Sequence, residues 1–168
     1  QADITGLIGQ YAHGNEPSHH TTYMYAYSGE HYKIADKVRY INNELYTDQP
    51  DGLSGNEDCG QMSAWYILSS MGFYPVNPSN GAYVFGSPLF DEVVLDIPGQ
   101  KQFKISAKNN SDKNIYIQSV SLNGEEHKYS YITHKEILKG GELEFTMGPK
   151  PNKDFGKEKK YRPESIVY

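Results

Sequence analysis

The period of the apolar residues changes once along this chain, near Asn80, and that change decides what it can fold into. Before it, Ile34, Val38, Ile41 and Leu45 recur at helical spacing, which predicts one face of a helix from about Glu30 to Tyr46. A second helix fits Cys59 to Met71, with Ala64, Ile67, Leu68 and Met71 as its buried stripe and Gly72 as its stop. A short aromatic segment, His20 to Ser28, follows Pro17 and stops at Gly29. After Asn80, Val93, Val94 and Leu95 form a β-branched run. Phe103, Ile105 and Ala107, then Ile115 and Ile117, then Leu143, Phe145 and Met147 alternate with polar residues, as strands with one face on a core do. Asn123-Gly124, between Leu122 and the Tyr129 to Ile132 segment, is a strong hairpin signal. The pattern predicts an α+β chain, with helices over 1–78 and mostly antiparallel strands over about 81–150. Three helices bury their faces poorly by themselves, so the helical half reads as the end of a larger helical domain.

Bulk properties exclude some partners. The formal charge is −5. The only basic cluster is Lys157, Lys159 and Lys160, so nucleic acid, whose binders neutralise phosphates with clustered cations, does not fit. No stretch reaches the roughly 20 apolar residues of a membrane helix, and no leader opens the chain, so a secretion signal would lie upstream of Gln1. Cys59 is the single cysteine, which excludes an internal disulfide and a multi-cysteine zinc site. Tyrosine is abundant, with 15 residues. Its flat face and polar tip suit sugar clefts, and equally half-buried strands.

Two segments carry side chains fit for chemistry. In GNEPSHH, Gly14 to His20, Asn15, Glu16, His19 and His20 stand beside a helix start. Asn15 or Glu16 could simply cap that start, although capping does not explain two adjacent histidines. In PDGLSGNEDCGQMSAWY, Pro50 to Tyr66, the residues Asn56, Glu57 and Asp58 end a glycine-flanked loop directly before a helix. The helix N-terminus there favours ionised carboxylates, which suit a general base or a cation ligand. Asp58 with Gln61 also fits a capping box. The oxygen-rich set suits calcium better than zinc, which lacks a cysteine cluster or a His-x₃-His pair here. Trp65 and Tyr66 read as core residues rather than sugar platforms.

GNEPSHH, the VRYIN stretch, PDGLSGNEDCGQMSAWYILSSMGFYPV and YVFGSPLF together resemble glycoside hydrolase family 92, the α-mannosidases. GGELEFTMGPKPN, Gly140 to Asn152, resembles a weaker signature of the same family. The resemblance implies that residues 1–80 are C-terminal helices of an (α/α)₆ catalytic barrel and that 81–168 form an antiparallel, sandwich-like β region packing on it. It also implies a calcium-dependent, inverting exo-enzyme that removes terminal α-mannose from glycans, secreted, periplasmic or at the cell surface. Asp58 matches the catalytic base, with Asn56 or Glu57 assisting. Asn15, Glu16, His19 and Glu57 would contact sugar, and Asn56 calcium. Some members have His where this chain has Asn15, which leaves the linkage preference open. The general acid is expected on a segment preceding Gln1, in an N-terminal part of the same polypeptide, so the chain by itself is expected to be inactive. The competing reading is a non-catalytic carbohydrate- or calcium-binding module; the acidic loop at a helix start favours the enzyme.

Overall fold

The computed structural model of the protein describes residues 4–165. Its first elements are strands. β1 (Leu7–Ile8) and β2 (Tyr11–Ala12) form a small antiparallel hairpin, turned at Gly9 with φ +61, in a region expected to be helical. A two-residue turn opening on a left-handed glycine is a hairpin signal that overrides weak helical patterning. The aromatic segment is helical in pieces: single 3₁₀ turns at Glu16–Ser18 and Thr21–Tyr23, then α1 (Tyr25–Ser28), stopped at Gly29 with φ +81.

α2 (Lys33–Glu44) buries Ile34, Val38 and Ile41 as their spacing predicts. α3 (Gln61–Met71) stops at Gly72, also as predicted, but its buried stripe is rotated. Met71 is buried as expected, but Met62, Trp65 and Ser69 face inward with it, while Ile67 is 55% exposed. Trp65, the largest fully buried side chain, sets the rotation, and Ser69 follows it inward to accept a 2.8 Å hydrogen bond from the Tyr23 hydroxyl.

The strands begin earlier than the period change indicates. β3 (Phe73–Asn77) pairs antiparallel with β4 (Ala82–Phe85), which pairs with β9 (Tyr131–Thr133). Between them in sequence run β5 (Glu92–Ile97), β6 (Lys101–Lys108), β7 (Tyr116–Leu122) and β8 (Glu125–Glu126). The short α4 (His134–Ile137), started by a Thr133–Glu136 capping box, leads to β10 (Gly141–Gly148). The larger sheet has the order β5-β6-β10-β7-β8, and its β6–β10 pair is parallel in an otherwise antiparallel arrangement. The Asn123-Gly124 turn forms with φ +53 and +84, but its second strand is only Glu125–Glu126. The Tyr131 segment leaves for the other sheet.

The three-stranded sheet is a wall between two cores. Phe73 and Phe85 face Phe103, Phe145 and Leu143 of the larger sheet, whereas the alternate residues Tyr74 and Val84 face Trp65, Tyr23, Ile34 and Ile41. Buried Arg39 ties α2 to the β layers, donating to Ser87 Oγ at 2.9 Å, to the Pro88 carbonyl at 2.5 Å and to Asn110 Oδ1. Among the described residues no helix is long and apolar enough to cross a membrane.

Candidate active site

The two motif segments pack against each other, backbone to backbone. Gly14 lies so close to Ser54 that any Cβ there would run into the Ser54 carbonyl and Thr5 Oγ1, and Gly55 lies against Gly14 in turn. Only glycine permits this approach. Side chains then lock the segments together. Gln61 Nε2 donates to His19 Nδ1 and Tyr74 Oη, each at 3.1 Å, His19 Nε2–H donates to the His13 carbonyl at 2.9 Å, and Trp65 Nε1–H donates to the His19 carbonyl at 3.2 Å.

At the centre lies His13, fully buried and stacked on His19 with ring centroids 4.6 Å apart. The Tyr46 hydroxyl donates to the Met62 carbonyl at 2.9 Å, so it accepts from His13 Nε2–H at 2.7 Å, leaving Nδ1 to accept from Tyr11 at 2.8 Å. Burial, with the neighbouring His19, pushes His13 down to about 3. Burial lowers His19 as well, against its bond to the His13 carbonyl. Both rings are neutral struts near neutral pH. The sequence pattern did not mark His13, Tyr11 or Tyr46; the available signal was His13 standing directly before the GNEPSHH motif.

The acidic loop enters α3 through three consecutive left-handed residues: Asp58 (φ +48), Cys59 (φ +57) and Gly60 (φ +87). For the first two this costs about 1–2 kcal/mol each. Such strain persists only where surrounding contacts hold it, and it clusters at functional sites. Here the contacts are those of the α3 N-terminus. Gln61 N–H donates to the Asp58 carbonyl at 3.2 Å, and Met62 N–H to the Glu57 carbonyl at 3.3 Å. Ser63 N–H donates to Glu57 Oε1 at 2.9 Å, and Ser63 Oγ–H to Glu57 Oε2 at 2.7 Å. Glu57 therefore satisfies the helix start, while the expected Asp58–Gln61 capping box does not form: Gly60 occupies the cap position without a side-chain bond. The Ser63 hydroxyl, then its amide, hold Glu57 below the usual carboxylate range.

Asp58 and Asn56 are exposed at the loop surface. Asn15 is also exposed, and although it precedes the first 3₁₀ turn its amide makes no capping bond; Glu16 is half-buried in that turn. His19, expected to contact sugar, is only 1% exposed and has both ring nitrogens engaged. A cavity of about 440 Å³ opens beside the loop, lined in part by Tyr46, Leu53, Ser63 and Tyr66. A larger one, about 740 Å³, lies elsewhere around Tyr27, Tyr131 and Arg162 and holds none of the motif residues. Among the described residues no three His, Cys, Asp or Glu side chains gather as a metal site. Asn56 and Asp58 are the right kind of donor for calcium, but calcium takes about six to eight oxygens.

Residues 1–149 match the family model of the glycosyl hydrolase family 92 catalytic domain. The chain belongs to glycosyl hydrolase family 92. Among solved family 92 structures, an α-mannosidase from Bacteroides thetaiotaomicron is 42% identical and superposes with a TM-score of 0.93 over 98% of this chain and 22% of its own. An inverting mannosidase from Bacteroides thetaiotaomicron VPI-5482 is 44% identical, with a TM-score of 0.88 over 94% of this chain and 21% of its own. An uncharacterized secreted glycosidase of Arthroderma benhamiae is 33% identical over 138 residues, 80% of this chain and 18% of that protein. The family 92 chain thus spans about a fifth of the length of these relatives.

Proposed function

We propose that this chain is the C-terminal part of a calcium-dependent, inverting exo-α-mannosidase that removes terminal α-mannose from glycans outside the cytoplasm. In this reading residues 1–80 complete an (α/α)₆ catalytic barrel and residues 81–168 form the β region packed on it. The observation that carries the reading is the presentation of Asp58: an exposed carboxylate on a strained turn, locked against the GNEPSHH segment by His19 and Gln61. Asp58 takes a proton from water as the water attacks the anomeric carbon. A general acid on another part of the polypeptide protonates the leaving oxygen, with the two carboxyls about 6.5–9.5 Å apart to leave room for that water. Asn15 and Glu16 contact the sugar from the facing segment, and His19 supports that segment from below. Asn56 offers one oxygen to calcium, with the remaining ligands coming from outside this chain.

The test is hydrolysis of the α-mannobioses by the longer polypeptide carrying this chain. Mannose release, lost after exhaustive EDTA dialysis and restored by calcium, is expected, with the 168-residue chain inactive alone. Failure on every linkage would remove the substrate assignment, and full activity after EDTA would remove calcium.

A further inference from the structure

We infer that Glu57 is a positioning residue: clamped by Ser63, its carboxylate holds the left-handed turn that aims Asp58. The inference rests on the reading of Asp58 as general base. Among the described residues the Asp58 carboxylate makes no hydrogen bond, so this chain orients it only through the backbone, which fixes the direction of its Cα–Cβ bond. That backbone is left-handed through Asp58, Cys59 and Gly60, a conformation the first two residues leave unless something holds them.

Two holds flank the turn. On its far side Gln61 is fixed by His19 and Tyr74. On its near side Glu57 reaches over the turn to the third helical residue, taking both the amide and the hydroxyl of Ser63 at 2.9 and 2.7 Å. Charge-assisted bonds of this kind are about twice as strong as neutral ones. The pair therefore closes a ring around the three strained residues, with Asp58 at its outer edge. A carboxylate at position 57 thereby has a use other than sugar contact. Ser63 acquires one as well, and nothing in its sequence neighbourhood announces it: the acceptor stands three residues before the helix cap, outside the spacing of a capping box.

The experiment compares Ser63→Ala, Ser63→Thr and Glu57→Gln with Asp58→Asn in the full-length enzyme. Misplacing a reacting group by about 1 Å can cost on the order of 10²-fold in rate. Ser63→Ala should lower kcat about 10- to 100-fold on that basis, with KM within about twofold and the acid limb of the kcat–pH profile unmoved. Ser63→Thr, which keeps the hydroxyl, should recover most of the loss. Exposed Cys59 reports the turn without any substrate. Its alkylation by iodoacetamide, followed peptide by peptide, should speed up severalfold in Ser63→Ala and return in Ser63→Thr. An unchanged kcat in Ser63→Ala would overturn the inference. So would an acid limb moved to higher pH, which would make Glu57 the titrating base. Should the unmutated enzyme cleave no α-mannoside, the reading of Asp58 fails by itself. Cys59 labelling then decides the clamp, and unchanged labelling in Ser63→Ala removes it.

Discussion

Protonating His13 would place a second N–H opposite the Tyr11 hydroxyl, which donates to that same nitrogen, in a site with no solvent access. His31 is held the same way: buried, edge-on to Phe155, donating Nε2–H to the Phe85 carbonyl at 2.9 Å, and pushed by burial down to about 4. With His19 these are three buried rings that are neutral when folded yet titrate near 6.5 when unfolded. The unfolded chain thus binds more protons below about pH 6.5, and folding stability falls as pH drops from there toward the folded values. Between pH 6.5 and 5, before most carboxylates titrate, His13 and His31 each steepen the fall by up to about 1.4 kcal/mol per pH unit. Denaturant titrations across that window should show the slope, and His31→Gln should flatten it. A stability that stays level from pH 6.5 to 5 would contradict the neutral-strut picture. None of these rings could be recognised as a strut from sequence, because each bonds to a distant segment: His13 to Tyr46, His19 to Gln61 and His31 to the Phe85 carbonyl.

α3 shows what periodicity reveals and what it hides. Its C-terminal end was legible, since Gly72 stops the helix by local chemistry, whereas its start falls at Gln61 rather than Cys59, behind a left-handed Gly60 instead of an Asp58–Gln61 box. Its face was not, because Ala64, Ile67 and Leu68 are as apolar as the residues that are buried. The choice belongs to Trp65, which fills the space against Tyr23, Tyr74 and His13. Trp65→Ala should cost about 3–5 kcal/mol, read as a drop in the denaturation midpoint, because it empties a volume shared by both motif segments. A loss below about 1 kcal/mol would mean that Trp65 does not set the helix face. The Asn123-Gly124 turn was legible for the same local reason as the helix end. The pairing of β9 with β4 and of β10 parallel to β6 was not, since each joins segments distant in sequence whose meeting depends on the whole core.

At the scale of the whole molecule, two half-cores share one three-stranded wall, and Arg39 pins the helices to the β layers. Family membership was legible because long motifs survive intact in order. The site was legible only as a list of residues. That Asp58 faces solvent while Glu57 closes the turn follows from three left-handed residues and one serine, none of which a spacing rule marks. In the proposed mechanism Asp58 is a proton acceptor rather than a helix cap, and Asp58→Asn separates the two. Asn and Asp cap comparably, and neither caps α3 here, so the substitution leaves the fold alone while removing the base. In the full-length enzyme, steady-state kinetics on an α-mannoside alongside thermal denaturation should show kcat lower by about 10²–10⁴ with the melting temperature nearly unchanged. Near-normal turnover in Asp58→Asn, or activity lost only in proportion to stability, would contradict the account.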